Sequence, residues 1–312
     1  MPWGVAAGLL AGALWGLSFI GPLAVAPFTG FDLTVVRFAV YALASLAVLA
    51  PGGFRALRTL DRRTLIEIAV LGFTGYSGYY AAAAMAVPLA GAPLVVLIIG
   101  ALPVVLALTG HAQGNPLLRR LALPLAMVAI GLAVINGAAF VRASDGGGRA
   151  ALALGVALAV LGLVLWTIYG LRNAAALAAR PKVSGADWAA LTGLGAFVSL
   201  LPIIPFALML GWSGVPAALA DTAATGRLLG WGLATGIGAS LIATWLWAIA
   251  SRRLPVSLAA QLIVSETVFG VLYGLAWEGR APTWPELIGS VLLIAGVITA
   301  IRIFERARSK PA

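Results

Sequence analysis

Long apolar runs, separated by charged or Pro/Gly-rich breaks, dominate the chain. About 20 consecutive apolar residues are needed for a helix to cross the core of a bilayer. On this criterion the pattern predicts ten membrane spans: Trp3–Gly21, Phe31–Ala50, Thr64–Ala86, Ala92–Gly110, Leu117–Ala139, Ala150–Leu171, Ala186–Leu210, Arg227–Ala250, Pro255–Ala276 and Trp284–Ile303. Only Val87–Gly91 separates the third span from the fourth, and Pro88 favours a break there.

The composition indicates that these apolar helices face lipid. Of the 312 residues, 62% are hydrophobic and only 10% are charged, whereas a soluble domain carries about 25% charged residues. Most of the surface must therefore face lipid, and we predict an all-α integral membrane protein. The apolar start, Trp3 to Ile20, lacks a preceding basic region, so we interpret it as a retained first helix and not as a signal peptide.

The basic residues predict the orientation of the ten spans. Fifteen of the 20 lie in one alternating set of loops and four lie in the other set, with Arg37 inside the second span. Since cytoplasmic loops carry the excess of Lys and Arg, both termini are predicted to be cytoplasmic, in a bacterial inner membrane. The net charge of +10 is thus interpreted as topology information, and no nucleic-acid partner is predicted.

A polar linker divides the spans into five and five. It contains Asp145-Gly146-Gly147-Gly148, and Leu14-Trp15 in the first half recurs as Leu165-Trp166 in the second. We predict a first repeat at residues 1–139, a periplasmic linker at 140–149, a second repeat at 150–304 and a cytoplasmic basic tail at 305–312. An odd number of spans per half inverts the second copy, and inverted repeats in transporters place the substrate site at the bilayer midplane between the halves.

Tyrosines cluster in the third span at Tyr76, Tyr79 and Tyr80, which share one helical face. Buried hydroxyls need partners, so two interpretations stay open: bonding to neighbouring helices, or an aromatic wall of a hydrated cavity. Two further aromatic pairs each share a helical face: Trp15 with Phe19 in the first span, and Trp166 with Tyr169 in the sixth. For both pairs, core packing and lining of a cavity stay open as interpretations. The eighth span adds a weaker polar face that includes Trp245.

The ninth span is the most polar, with Gln261, Ser265 and Glu266 close together on it. An ionisable residue inside a membrane costs about 2.5–3.5 kcal/mol on insertion scales and is a candidate for function. Arg37 raises the same question in the second span. It could extend to the interface, hold a substrate carboxylate or pair with Glu266, and the pattern favours none of these.

The chain has no cysteine and a single histidine, His111, which lies in a predicted loop. Disulfides, thiolate metal sites and cysteine nucleophiles are excluded, and neither a metal site nor a cofactor is predicted. A membrane-embedded enzyme would need a nucleophile with a base, a metal cluster or paired acids, so we predict that the protein is not an enzyme. A passive scaffold is disfavoured because it has no need for polar and aromatic residues at mid-membrane.

Five short motifs resemble one transporter family. They are Trp15-Gly16-Leu17-Ser18-Phe19, Arg37-Phe38, Pro103-Val104, Glu266-Thr267-Val268-Phe269 and the pair Ile288-Gly289 with Leu293-Ile294-Ala295-Gly296-Val297. In order and helix placement they resemble the EamA-type members of the drug/metabolite transporter superfamily, and among these the bacterial amino-acid exporters. Thr267 stands where that family often has proline, which puts a kink in the ninth helix in doubt.

The resemblance implies ten helices around a central cavity, with the fifth and tenth peripheral, and export of amino acids, aromatic ones among them. The predicted substrate-binding residues are Trp15, Phe19, Arg37, Tyr76, Tyr79, Tyr80, Trp166, Tyr169, Trp245, Gln261, Ser265 and Glu266. We expect an exporter working by alternating access, with small molecules and the lipid bilayer as its partners. The alternative is an exporter of other amphipathic metabolites or drugs, and the oligomeric state stays open.

Overall fold

The computed structural model describes residues 2–58, 60–102, 105, 117–142, 147–180, 183–254 and 262–308, and these form helices and short turns without a strand. The main α-helices are α1 (Pro2–Leu17), α2 (Gly30–Leu49), α3 (Arg62–Gly72), α4 (Gly78–Ala90), α5 (Ala92–Ile99), α6 (Leu117–Arg142), α7 (Gly147–Ala178), α8 (Gly185–Val198), α9 (Ile203–Met209), α10 (Thr222–Leu233), α11 (Ala243–Arg253), α12 (Val264–Trp277) and α13 (Trp284–Arg308). Single helical turns lie at Gly21–Ala24, Ala50–Gly52, Arg55–Arg58 and Val215–Ala218.

Six helical stretches are long and apolar enough to cross a membrane: Pro2–Ala24, Gly30–Gly52, Gly148–Asn173, Gly185–Met209, Thr222–Ser251 and Trp284–Ile303. They coincide with six of the predicted spans and confirm an all-helical membrane protein. The third predicted span is helical with a π-helical segment at Phe73–Ser77, and parts of the fourth and ninth lie outside the described residues. The ten-span, five-plus-five repeat therefore stays a prediction.

Two predicted boundaries can be compared with the observed helices. The break between the third and fourth spans lies within the predicted Val87–Gly91 but not at Pro88, because α4 continues through Pro88 to Ala90. The chain breaks instead at Gly91, whose φ of 83° is a left-handed conformation that glycine adopts at little cost. At the linker predicted at 140–149, α6 continues to Arg142 and α7 begins at Gly147, while residues 143–146 lie outside the described residues.

Side-chain caps fix where several helices begin. Asp61 accepts a hydrogen bond from the backbone N–H of Thr64 at the start of α3, and Ser184 caps α8 through the N–H of Asp187. The predicted start of the last span is confirmed: α13 begins at Trp284, and Glu286 accepts hydrogen bonds from the backbone N–H and hydroxyl of Thr283, both at 2.8 Å. Such caps satisfy N–H groups that a helix end leaves without partners.

Two π-helical segments interrupt the regular helices. The first, Phe73–Ser77, joins α3 to α4, and the second, Ala234–Ile242, joins α10 to α11. They occupy the third span of the first predicted half and the third span of the second. In each, a threonine hydroxyl donates to the carbonyl four residues earlier: Thr74 to Val70 at 2.8 Å, and Thr235 to Trp231 at 2.7 Å. π-helical turns are rare and are often found at functional sites.

The helices form two compact units, each drawn from separate parts of the chain. Unit 1 comprises Met1–Ile20, Ala86–Leu163 and Ala243–Ala312, and unit 2 comprises Gly21–Met85 and Val164–Ile242. In unit 1, α1 packs against α11 and α12, α5 packs against α12, and α6 packs against α13. In unit 2, α2 packs against α8 and α10, and α3 packs against α8.

A buried carboxylate ties the start of α2 to a distant loop in unit 2. Oδ2 of Asp32 accepts hydrogen bonds from the N–H and hydroxyl of Thr29, at 2.8 and 3.0 Å, and from the N–H of Gly214 at 2.9 Å. Oδ1 accepts from the Ser213 hydroxyl at 2.6 Å. The carboxylate thus caps its own helix and also fixes residues that are about 180 positions later in the chain.

Candidate functional site

Unit 2 contains a continuous group of aromatic rings from α2, α4, α7 and the first π segment. This aromatic cluster comprises Phe38, Tyr41, Tyr76, Tyr80 and Tyr169. Tyr76 lies at its centre: its ring centroid is 6.5 Å from that of Phe38, 5.9 Å from that of Tyr41 and 5.5 Å from that of Tyr169. The hydroxyl oxygens of Tyr76 and Tyr169 are 3.4 Å apart. The structure therefore brings together residues predicted from two distant spans.

The tyrosines of the third span differ in their surroundings. Tyr80 is only 2% exposed and packs edge-on against Phe38, with centroids 6.1 Å apart. Tyr76 and Tyr79 are partly buried. Tyr79 stacks on Trp166 of α7, with centroids 4.8 Å apart and an angle of 19° between the planes. Tyr79 and Trp166 thus form a flat aromatic platform separate from the Tyr76 contacts.

Arg37 lies about seven residues, roughly 10 Å, along α2 from its first residue, and it is 8% exposed. The guanidinium carbon lies 4.1 Å from the centroid of the Tyr80 ring and 5.3 Å from that of Phe38. A desolvated cation over an aromatic face gains up to about 2 kcal/mol. Nε donates to the hydroxyl of Ser240 at 3.1 Å. Arg37 is therefore held between an aromatic face and a hydroxyl inside unit 2.

Unit 1 contains the remaining candidates. Trp15 of α1 packs against Trp247 of α11, with ring centroids 5.6 Å apart and a 52° angle between the planes. Phe19, just after α1, is buried. Trp245 is 63% exposed, and no described ring contact joins it to the other candidates.

The polar residues of the ninth span lie beside α1. The hydroxyl of Ser265 donates to the carbonyl of Leu262 at 2.6 Å, and its side chain lies against Gly12. Glu266 is buried in the first turn of α12, and its backbone faces Gly12 and Gly16. Gln261 lies outside the described residues. Because Arg37 and Glu266 belong to different units, their pairing stays a prediction.

Four contributors were not among the predicted site residues. Tyr41 follows Arg37 by one helical turn and so shares its face of the helix. This spacing in the sequence could have identified Tyr41 as a candidate. Phe38 and Trp247 are ring partners of predicted residues. Ser240 lies in the eighth span and accepts the hydrogen bond from Nε of Arg37. Within the described part of the chain, no three His, Cys, Asp or Glu side chains are placed to hold a metal ion.

Comparison with known proteins identifies the family. No family model matches the chain. The inner membrane protein YtfF of Escherichia coli (strain K12) is 32% identical over 305 residues, which cover 96% of this chain and 95% of YtfF. A protein of known crystal structure shares the fold, with a TM-score of 0.60 at 20% identity over 98% of this chain and 99% of that one. The chain is a membrane protein and belongs to the family of the Escherichia coli inner membrane protein YtfF.

Proposed function

We propose that this membrane protein is an EamA-type exporter of amino acids, aromatic ones among them, that works by alternating access in a bacterial inner membrane with both termini in the cytoplasm. The observation that carries the proposal is the aromatic cluster with Arg37 in unit 2. A transporter of amphipathic solutes needs aromatic surface and polar groups at mid-membrane, whereas a helix that only anchors a protein has no use for a buried cation. The expected ligands are small molecules, and neither nucleic acid nor enzymatic chemistry is proposed.

The pairing of the helices supports the five-plus-five repeat. Within unit 2, α2 of the second span packs against α8 of the seventh. Within unit 1, α5 of the fourth span packs against α12 of the ninth, and α6 of the fifth packs against α13 of the tenth. In these three pairs each partner lies five spans further along the chain, which is the relation that a two-fold axis between inverted halves gives to helices beside the axis. The two π segments occupy the third span of each half and agree with the same repeat.

Flux through purified protein in liposomes tests the proposed function. We expect export of amino acids from a panel that also includes amphipathic metabolites and drugs. If only the metabolites or drugs are transported, they are the substrate class in place of amino acids. If no compound of the panel is transported, the transporter proposal is rejected. Glu266→Gln removes the ionisable group while keeping its shape, and we expect the amino-acid flux to fall by about tenfold or more. Undiminished flux in this variant would show that the charge is dispensable.

The platform formed by Tyr79 and Trp166 predicts a preference for aromatic side chains. Offset stacking contributes about 0.5–1.5 kcal/mol, which corresponds to roughly two- to tenfold in affinity. We therefore expect Trp166→Leu to reduce phenylalanine flux by up to about tenfold while alanine flux changes little. The control is Trp284→Leu, since Trp284 is 76% exposed at the start of α13. An equal loss for both amino acids would contradict a stacking role.

A further inference from the structure

The guanidinium of Arg37 is buried but incompletely bonded. Nε has Ser240 as its acceptor, whereas no hydrogen-bond partner lies within reach of Nη1 among the described residues. Within unit 2, no described carboxylate is within ion-pair distance of Arg37. Buried arginines are nearly always paired, because an unpaired buried charge is expensive. A buried donor without an acceptor therefore indicates a group that binds there.

The second π segment determines which part of the guanidinium stays available. The Ser240 hydroxyl donates to the carbonyl of Thr235, five residues earlier, at 3.2 Å, so its lone pairs are left to accept from Nε of Arg37. A Cβ at Gly236 would lie 2.7 Å from the carbonyl oxygen of Arg37, so glycine lets α2 approach this segment closely. The hydroxyl thus orients the guanidinium by its Nε edge and leaves Nη1 for a ligand.

The surroundings of Arg37 define the chemistry of that ligand. A planar guanidinium matches a carboxylate in shape and charge. The adjoining surface is aromatic, with Tyr80 and Phe38 over the cation and Tyr76 next to Phe38. One cation balances one negative charge, which favours a carboxylate over a phosphate dianion. Arg227 is exposed near the start of α10 and donates to the carbonyl of Ala26 at 2.8 Å, so it is engaged elsewhere.

We propose that Arg37, oriented by Ser240, is the subsite that binds the α-carboxylate of the transported amino acid. The proposal rests on the proposed function and adds the group that recognises the substrate. It requires that a ligand lacking the carboxylate lose the interaction with Arg37 while keeping its contacts with the aromatic cluster.

Liposome flux of L-phenylalanine and of L-phenylalaninamide, which differ in the carboxylate, tests the subsite. We expect wild-type protein to prefer phenylalanine by about tenfold or more, and Arg37→Gln to lower phenylalanine flux by about tenfold while amide flux stays within about twofold. Arg227→Gln is the matched control, since it removes an exposed cation of the same unit and should keep the preference. A proportional loss of both fluxes in Arg37→Gln, or an intact preference, would overturn the proposal.

A binding measurement separates this proposal from the proposed function. We expect 3-phenylpropionate to raise the thermal unfolding temperature of purified wild-type protein, and to have no such effect on Arg37→Gln. If the wild type transports no amino acid, the exporter proposal fails, yet this difference would still support a carboxylate subsite. No stabilisation of the wild type would overturn the subsite. Should Arg37→Gln not fold, Arg37→Lys replaces it and is expected to bind 3-phenylpropionate more weakly, because an ammonium lacks the fixed planar donor geometry of the guanidinium.

Discussion

We expect Gly72→Ala to destabilise the protein by about 3 kcal/mol, because it places a methyl group in the crossing of α3 and α8. A Cβ at Gly72 would lie 2.3 Å from the backbone nitrogen of Ala196 and 2.4 Å from the carbonyl carbon of Gly195. Since both contacts are with backbone, no side-chain rotation relieves them, and the helices must move apart. Equilibrium unfolding in detergent measures the loss.

Gly230→Ala is the matched control for this prediction. Gly230 lies within α10, and a Cβ there would meet no atom within 4 Å. Alanine is favoured over glycine in a helix by about 0.5–1 kcal/mol, so this variant should be as stable as the wild type or slightly more stable. Equal losses in the two variants would contradict a role for the close helix crossing.

We also expect Asp32→Ala to lower the free energy of unfolding by about 3 kcal/mol. Removing the carboxylate leaves three donors without their acceptor: the backbone N–H groups of Thr29 and Gly214 and the hydroxyl of Ser213. The hydroxyl of Thr29 keeps the carbonyl of Trp212 as an acceptor at 2.7 Å. Each buried donor left unsatisfied costs about 1–3 kcal/mol, and water that enters the site offsets part of this. The same unfolding measurement applies, and Asp32→Asn, which retains one carbonyl acceptor, should recover part of the loss.

Asp187→Ala separates the local role of such an aspartate from the long-range one. Asp187 also follows its helix cap by three residues, and it accepts from the hydroxyl of Ser184 at 2.8 Å, but it is only half-buried and has no described partner elsewhere in the chain. We expect a loss of about 1 kcal/mol or less, as for a helix cap. If Asp32→Ala cost no more than Asp187→Ala, the bonds to the distant loop would contribute nothing.

Six of the spans were predictable because hydrophobicity is a local property, whereas the side-chain partners were not. Arg37 and Tyr80 were both expected to be functional, but their contact joins residues 43 positions apart in the chain. The bond from Arg37 to Ser240 spans 203 residues. The sequence left three destinations for Arg37 open, and its contacts with Tyr80 and Ser240 were not among them.

Sequence rules for helix ends disagreed between the third and fourth spans, where a proline and a glycine each favour a boundary. Pro88 favours a helix boundary, yet α4 continues through it and ends where Gly91 can turn the chain. The π segments had no signal of their own, since their residues are compatible with an ordinary α-helix. The repeat of Trp15 as Trp166 was visible, but the rings they contact, Trp247 and Tyr79, could be identified only from the structure.

The composition of unit 1 has a consequence for how the protein is made. Its first helix, α1, packs against α11 and α12, which are synthesised roughly 225 residues later. At about 5–20 residues per second, a ribosome needs on the order of ten to fifty seconds to supply these partners. Until then α1 must persist in the bilayer without these two partners. The sequence of α1 has no charged side chain, so the helix is stable in the bilayer during this time. A charge there would favour release from the membrane before assembly.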